Sequence, residues 1–333
     1  MRSLWFTVFT MIAGFAYGLY AFGTVAQAIS VMAIMGILGV LEVSLSFDNA
    51  VANAKTLETM NAKWKHRFLT WGMLIAVFGM RVVFPVLIVA VVGGVSMYEA
   101  FMMAINSPHQ YAEMLEQSHI AIAGFGGAFL LLVALGFFLD EDKDVHWLGA
   151  IESRIQKLGS ALAVTISLVT IILFYKYVLP LGERDTFMIA GLLGIVSHEI
   201  IARLGDAMGS EDSTTTVAKA GLSAFIYLEV LDASFSFDGV IGAFAISTNI
   251  FIIAGGLGIG AMFVRSMTLH LVEAKTLSEY KYLEHGAFWS IMVLAGIMFT
   301  STVIEIPEIV TGVLSVSLIA IAFLHSIVEN KRK

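Results

Sequence analysis

The sequence predicts an all-α protein, a polytopic bundle of transmembrane helices with inverted-topology repeats and interrupted helices. Apolar residues make up 58% of the 333 residues and charged residues only 14%, which leaves too little polar surface for a soluble domain of this length. The mean hydropathy is +0.87. Apolar runs of about 20 residues recur along the chain, and a helix of that length crosses roughly 30 Å of hydrocarbon.

Apolar runs and the charged breaks between them predict about ten spans. In chain order these are 4–23, 30–54, 68–95, 119–140, 161–181, 187–206, 220–247, 250–272, 285–305 and 308–328. If the N-terminus is cytoplasmic, most of the 19 basic residues lie on the cytoplasmic side, as the positive-inside rule requires. We therefore predict that both termini are cytoplasmic.

The first apolar run has two interpretations. Arg2, the run from Leu4 to Leu19 and the sequence Ala26-Gln27-Ala28 together resemble a secretory signal peptide with its cleavage site. The run is long for the apolar part of a signal peptide, so the sequence favours a first span that is retained.

Composition excludes several classes of function. The absence of cysteine removes disulfides, thiolate metal sites and cysteine nucleophiles. The net charge is −7, and no basic patch indicates a nucleic acid partner. Because no long polar run sets off a soluble domain, residues 1–333 are predicted to form one integral membrane domain in the lipid bilayer.

An acidic segment occurs twice in the chain. Residues 41–51 read LEVSLSFDNAV, residues 231–241 read LDASFSFDGVI, and both contain a Ser-x-Ser-Phe-Asp core. The alignment pairs the acids Glu42 with Asp232 and Asp48 with Asp238. The two segments are therefore predicted to be copies of one ancestral element.

The copies match again one span later, at segments that end at Arg81 and Arg265. Five predicted spans separate the two copies, so they cross the membrane in opposite directions. Inverted repeats with a binding site near the bilayer midplane are a recurrent transporter design. The approximate repeat halves are 1–185 and 186–330.

The acids lie deep within predicted spans. Each carboxylate at mid-bilayer costs roughly 2.5–3.5 kcal/mol, so the acids must face one another, a cation, a proton or water. Residues six apart point about 240° apart on an ideal helix, so Glu42 and Asp48 cannot both face inward from one. We therefore predict that spans 2 and 7 unwind at the Ser-x-Ser-Phe-Asp core, whose residues favour turns and caps.

Charge favours a metal ion at this cluster. Five carboxylates against two arginines leave an excess of negative charge, and oxygen ligands suit Mg²⁺, Ca²⁺ or Mn²⁺. The predicted metal ligands are Glu42, Asp48, Asn49, Glu229, Asp232 and Asp238, and the predicted charge-balancing residues are Arg81 and Arg265. The structural alternative is a network of arginine–carboxylate pairs that only fixes helix packing.

The same segments resemble the TerC family of bacterial membrane proteins. The residues that match its acidic motifs are Glu42, Asp48 and Asn49 in the first copy and Glu229, Asp232 and Asp238 in the second. Further matches are Arg81, Arg265, the run into the acidic loop at 129–144, and the segment IEIPEIVTG. The resemblance covers most of residues 30–328, and its acidic motifs are moderately specific.

The resemblance to the TerC family implies manganese export and a link to tellurium resistance. Mn²⁺, or another divalent cation, would then be the transported ligand rather than a prosthetic cofactor, and the location would be the inner membrane of a bacterium. The chain departs from the family at Gly239, where serine is usual, and in its long segment 96–118. These departures leave one hydroxyl ligand and the identity of the substrate open.

Two rival functions stay open at this point. One is a proton-coupled exporter of amino acids or other small solutes, and the other is a non-transporting membrane scaffold for metal loading.

An enzyme is not predicted, because no nucleophile–base constellation appears. His198-Glu199 lacks the second histidine of a zinc protease motif, since Ala202 takes that place. This pair is either a self-satisfied contact or a proton relay, with protons as candidate coupling ions. The oligomeric state is left open.

Overall fold

A computed structural model describes residues 2–208 and 215–331. The structure is 85% helical and has no strand among these residues, which confirms the all-α class. In chain order the α-helices are α1 Arg2–Phe22, α2 Val25–Leu45, α3 Phe47–Thr59, α4 Ala62–Arg67, α5 Phe84–Gly93, α6 Met97–Asn106, α7 Pro108–Gln117, α8 His119–Phe138, α9 Gly149–Gln156, α10 Leu162–Leu173, α11 Arg184–Met208, α12 Thr215–Ile246, α13 Ile250–Glu273, α14 Thr276–Glu279, α15 Leu283–Ser301 and α16 Glu308–Asn330. Three segments are π-helical, namely Phe68–Gly72, Ile75–Val83 and Phe174–Val178.

Eight helices in the described ranges are long and apolar enough to cross a membrane, so this is a multi-pass membrane protein. They are Leu4–Phe22, Val25–Leu45, Ile75–Gly93, His119–Phe138, Arg184–Arg203, Ile250–Glu273, Leu283–Ser301 and Ile309–Asn330. They correspond to eight of the ten predicted spans. Of the other two, the fifth is a shorter apolar helix, Leu162–Val178, and the seventh falls in α12.

The chain forms two compact units. Unit 1 comprises Met1–Ser46, Arg67–Ser118 and Phe235–Met267, and unit 2 comprises Phe47–His66, His119–Ser234 and Thr268–Lys333. The chain passes from unit 1 to unit 2 within the first acidic segment, and from unit 2 to unit 1 within the second. Each unit contains residues from both predicted repeat halves.

Unit 1 begins with a tight helical hairpin. α1 ends before Gly23, whose positive φ of 81° suits glycine, and Thr24 caps the start of α2. Further on, the long segment 96–118 forms α6 and α7. A capping box between Ser96 and Glu99 starts α6, and buried Tyr111 of α7 packs on Phe244 at 5.6 Å between ring centroids.

Unit 2 is built around α8, which packs on α11 and α15. A Cβ at Gly124 would lie 2.7 Å from the carbonyl oxygen of Phe187 on α11, so the two backbones approach as closely as only small residues allow. α15 packs in turn on α16, and α3 lies against both of them. This arrangement brings the second half of the first acidic segment onto the α15–α16 pair.

Span 2 is interrupted, as predicted. α2 ends at Leu45 and α3 begins at Phe47, with Ser46 between them at φ −108° and ψ 18°. The Ser46 hydroxyl donates to Oε1 of Glu42 at 3.2 Å, and its backbone N–H donates to the Glu42 carbonyl at 3.0 Å. The interruption therefore starts a second helix immediately before Asp48.

The prediction that span 7 unwinds is wrong. α12 runs without a break from Thr215 to Ile246, through the second Ser-x-Ser-Phe-Asp core. The Ser234 hydroxyl donates a hydrogen bond to the carbonyl of Val230 at 3.0 Å. Because the hydroxyl finds its partner inside the helix, it does not compete for the backbone groups that a turn would use. The same sequence pattern thus ends one helix and continues the other.

A buried carboxylate on α9 fixes the loop after α8 in unit 2. Glu152 accepts hydrogen bonds from the backbone N–H groups of Trp147 and Leu148 and from Nε1 of Trp289, at 2.9–3.3 Å. Lys143 Nζ lies 3.3 Å from its Oε2. Burial opposes ionisation of Glu152, but the hydrogen bond from Trp289 and the neighbouring cationic groups hold its pKa below the ordinary value.

This geometry predicts that Glu152→Ala lowers the free energy of unfolding by about 3 kcal/mol, because the buried Lys143 charge loses its partner. A depressed pKa means that the Glu152 contribution is complete above its ordinary pKa of 4.5 and is lost as the pH falls through the lower folded value. Thermal unfolding in detergent, followed by tryptophan fluorescence, should show a gap between wild type and variant that narrows below pH 4.5.

The exposed Asp142 of the same loop provides the control, and Asp142→Ala should change the unfolding midpoint little at either pH. A Glu152→Ala protein as stable as wild type at neutral pH would contradict the anchoring role of Glu152.

Candidate functional site

The centre of the candidate site is Asp48, in the first turn of α3. Its exposed fraction is 0%. Oδ2 accepts hydrogen bonds from the hydroxyls of Ser290 at 2.8 Å and Ser315 at 3.3 Å, and Oδ1 accepts one from the backbone N–H of Asn49 at 2.9 Å. In the described part of the chain, none of the donors to Asp48 carries a charge.

Asn49 links Asp48 to the second acidic segment within unit 2. Its Nδ2 donates to Oδ1 of Asp232 at 2.7 Å, so this residue contacts both carboxylates. Asn49 has an exposed fraction of only 1%, and its Oδ1 has no hydrogen-bond partner among the described residues. Glu229 is also buried, one turn before Asp232 on α12, and the spacing of three places both on one helix face.

The nearest charged side chain along α3 pairs with an acid other than Asp48. Lys55, about 10 Å beyond Asp48 at the rise of an α-helix, forms an ion pair with Glu284 at the start of α15. The Lys55 ammonium also lies 4.7 Å from the ring centroid of Phe137. Lys55 is thus held by an acid and an aromatic ring of its own.

Unit 1 contains a neutralised acid. Glu42 of α2 forms a buried ion pair with Arg81, and Arg81 also donates to the carbonyl of Ala76. Arg81 lies in the π-helical segment Ile75–Val83, a departure from α-helical geometry that is frequent at functional sites. Gly260 lies against the Glu42 side chain, where a Cβ would collide with it. Glu42 therefore meets a permanent positive charge, whereas the hydrogen bonds to Asp48 from the described residues all come from neutral groups.

The second predicted charge-balancing residue makes a different set of contacts. Arg265 of α13 donates from Nη1 to the carbonyl of Phe68 at 2.8 Å, and its guanidinium lies 4.1 Å from the centroid of the Phe68 ring. This combination of a hydrogen bond and a cation–π contact holds Arg265 against the π-helical segment Phe68–Gly72.

The six predicted metal ligands divide between the units. Asp48, Asn49, Glu229 and Asp232 belong to unit 2, and Glu42 and Asp238 belong to unit 1. Asp238 lies outside the described side chains. A single site formed by all six residues therefore stays a prediction.

Two contacts reproduce each other across the repeat. In unit 2, Asn49 of the first copy contacts Asp232 of the second copy. In unit 1, Gly239 of the second copy faces Glu42 of the first, since a Cβ at Gly239 would lie 3.1 Å from Oε2 of Glu42. Position 49 aligns with 239 and position 42 with 232, so the two contacts join the same pair of aligned positions of the predicted repeat.

Oxygen atoms make up this site. Within residues 2–208 and 215–331, no group of three or more histidine or acidic side chains is placed to hold a metal ion. Asp48 and Asp232 supply two carboxylates in unit 2, and the amide of Asn49 and the hydroxyls of Ser290 and Ser315 are the neutral oxygen-bearing groups in contact with them. Such a donor set suits a hard dication and provides neither nitrogen nor sulfur.

The predicted proton relay lies on α11. His198 Nδ1 is 3.6 Å from Oε1 of Glu199, and Arg203 Nε is 3.7 Å from the other oxygen of Glu199. The His198 ring packs edge-on against Phe129 of α8, with centroids 5.5 Å apart. A proton relay through this pair stays a prediction.

Sequence reasoning missed Ser290 and Ser315. Both serines lie within apolar spans, where a single hydroxyl is ordinary, and neither spacing nor repeat alignment marks them. Only the packing of α15 and α16 on α3 shows that both reach the same carboxylate oxygen.

Comparison with known proteins gives one family. Residues 47–333 match the family described as "Protein of unknown function (DUF475)". The match covers most of the chain and includes Asp48 and Asp232, whereas Glu42 precedes it. No curated protein and no solved structure matches the chain.

The ion pair between Glu42 and Arg81 in unit 1 can be tested by substitution. Arg81→Met should destabilise the protein by about 3–5 kcal/mol, because it leaves the Glu42 charge buried without its partner. Adding Glu42→Gln should recover part of that loss, since the double variant buries no charge at this place. Thermal unfolding of the purified proteins in detergent measures both effects.

Arg203→Met supplies a matched control. This arginine is 82% exposed, and its loss should change stability by less than about 1 kcal/mol. If Glu42→Gln made the Arg81→Met protein less stable still, the Glu42–Arg81 pairing would not be the source of the effect.

Proposed function

We propose that this chain, which belongs to the DUF475 family, is a transporter of divalent metal cations. The observation that carries the proposal is Asp48, a fully buried carboxylate in a multi-pass membrane protein whose donors in the described structure are all neutral. Asp48, Asn49 and Asp232 form the core of the cation site in unit 2.

Electrostatics supports a mobile positive charge at this site. An ionised carboxylate taken out of water is costly unless it is paired or hydrogen-bonded, and intramembrane acids commonly mark ion pathways. Hydrogen bonds from two serines and one amide reduce the cost without cancelling the charge. A cation that binds and leaves cancels it only while bound, which is what a transport site requires.

The donor set narrows the class of ion. Carboxylate, amide and hydroxyl oxygens are the ligands of Mg²⁺, Ca²⁺ and Mn²⁺, and a chain without cysteine has no thiolate for softer metals. The unpartnered Oδ1 of Asn49 adds a neutral oxygen beside the two carboxylates. Manganese comes first among these ions on the resemblance to the TerC family.

The proposed direction of transport and the membrane rest on the same resemblance, and the proposed orientation of the termini rests on the distribution of basic residues. We propose export across a bacterial inner membrane, with both termini in the cytoplasm.

Glu42 is paired with Arg81, so its charge is already balanced, and Asp48 is the acid that requires a cation. Export needs no catalytic residue, and the site residues act as ligands of the transported ion.

Asp48→Ala and Asp238→Ala are each expected to abolish protection of cells against excess Mn²⁺ while leaving the protein inserted in the membrane. Removal of Asp48 takes away the central ligand, so Mn²⁺ flux in proteoliposomes should fall by at least about tenfold. The measurements are growth at raised Mn²⁺, protein abundance in isolated membranes and flux by a Mn²⁺-quenched dye.

Asp185→Ala, an exposed acid in the first turn of α11, serves as the control and should leave tolerance and flux unchanged. Normal tolerance in both site variants would overturn the proposal. Flux of an amino acid rather than Mn²⁺ in the same vesicles would favour the small-solute exporter instead.

A further inference from the structure

The two serines that bind Asp48 differ from other hydroxyl residues in neighbouring helices. Thr300 of α15 and Ser326 of α16 donate to carbonyls four residues earlier in their own helices, which is the usual way to satisfy a hydroxyl inside a membrane helix. Ser290 and Ser315 instead reach across to Oδ2 of Asp48, at 2.8 and 3.3 Å. Both are buried. Their hydroxyls therefore serve the site rather than their own helices.

A hydroxyl that donates its hydrogen keeps lone pairs on its oxygen. Each serine oxygen can thus accept a cation while its hydrogen still points at Asp48. The unpartnered Oδ1 of Asn49, nearly completely buried beside the same carboxylate, is a third neutral oxygen without a competing donor among the described residues. Two neutral oxygens from two helices therefore contact Asp48, and a third lies on the side chain of the residue that joins Asp48 to Asp232.

We infer that Ser290 and Ser315 are direct ligands of the transported cation, an assignment that rests on the proposed function. With the Asp48 and Asp232 carboxylates and Asn49 Oδ1 they supply five oxygen-bearing groups. Hard dications take six or more oxygens, and water commonly completes the set. The inference adds two residues that no sequence motif marks and makes α15 and α16 part of the binding site.

Ser→Cys substitutions test the assignment through metal preference. The chain has no native cysteine, so each variant carries a single thiol. A thiolate ligand favours soft metals over Mn²⁺, so Ser290→Cys and Ser315→Cys should each raise the affinity for Cd²⁺ relative to Mn²⁺ by about tenfold or more. Each should also produce an ultraviolet thiolate-to-Cd²⁺ charge-transfer band, which a serine with a purely structural role would not give.

Ser326→Cys is the matched control, because Ser326 is equally buried on α16 but donates to Ala322. It should show no charge-transfer band and should bind Mn²⁺ as wild type does. Ser290→Ala and Ser315→Ala provide a second test, because they remove the hydroxyl without introducing a new metal ligand. Each should weaken Mn²⁺ binding by about tenfold. All binding is measured by calorimetry on the full-length protein in detergent.

Two results separate this inference from the proposed function. A charge-transfer band in the Ser290→Cys or Ser315→Cys variant, together with a wild-type protein that moves no Mn²⁺ in vesicles, would support the ligand assignment and overturn transport. Mn²⁺ flux by wild type together with alanine variants of normal Mn²⁺ affinity, and cysteine variants without the band, would overturn the ligand assignment alone.

Discussion

Burial of ionised carboxylates is the constraint on which the structure depends. The bundle handles two of them in different ways. Glu42 receives the permanent charge of Arg81, held in place by a π-helical segment. Asp48 receives its hydrogen bonds, among the residues that the structure describes, from the neutral donors of Asn49, Ser290 and Ser315. The charges of a buried ion pair neutralise each other, whereas a carboxylate held by neutral donors keeps an attraction for cations. This difference is why the proposed cation site is centred on Asp48 and not on Glu42.

Much of the fold could be predicted because membrane helices follow from apolar length alone. The break at Ser46 also follows from local sequence, since Glu42 and Asp48 cannot share a face of one helix. The corresponding break in α12 was predicted wrongly, because the hydroxyl of Ser234 bonds to Val230 within the helix and local sequence does not decide between that bond and a turn. Ser290 and Ser315 could not be found in advance, because only the packing of α15 and α16 gives them a role.

Two contacts join corresponding positions of the two acidic segments. Asn49 meets Asp232 in unit 2, and the aligned Gly239 faces Glu42 in unit 1. The two places occupy aligned positions of the predicted repeat but differ in chemistry, because the amide side chain of Asn49 at one is replaced by the hydrogen atom of Gly239 at the other. Unit 1 then carries an arginine-bound acid and unit 2 an amide-bound pair of acids. This difference agrees with the proposed function, in which the cation binds in unit 2 and the Glu42–Arg81 pair of unit 1 is structural.

The interruption at Ser46 has a kinetic consequence for any ion that visits Asp48. Starting a new helix at Phe47 places the amino end of α3, with its partial positive charge of about half a proton, beside the carboxylate. That end repels an arriving dication while it favours the ionised acid. Under the proposed transport function, this repulsion lowers the affinity of the site for the cation and speeds its release on each turnover.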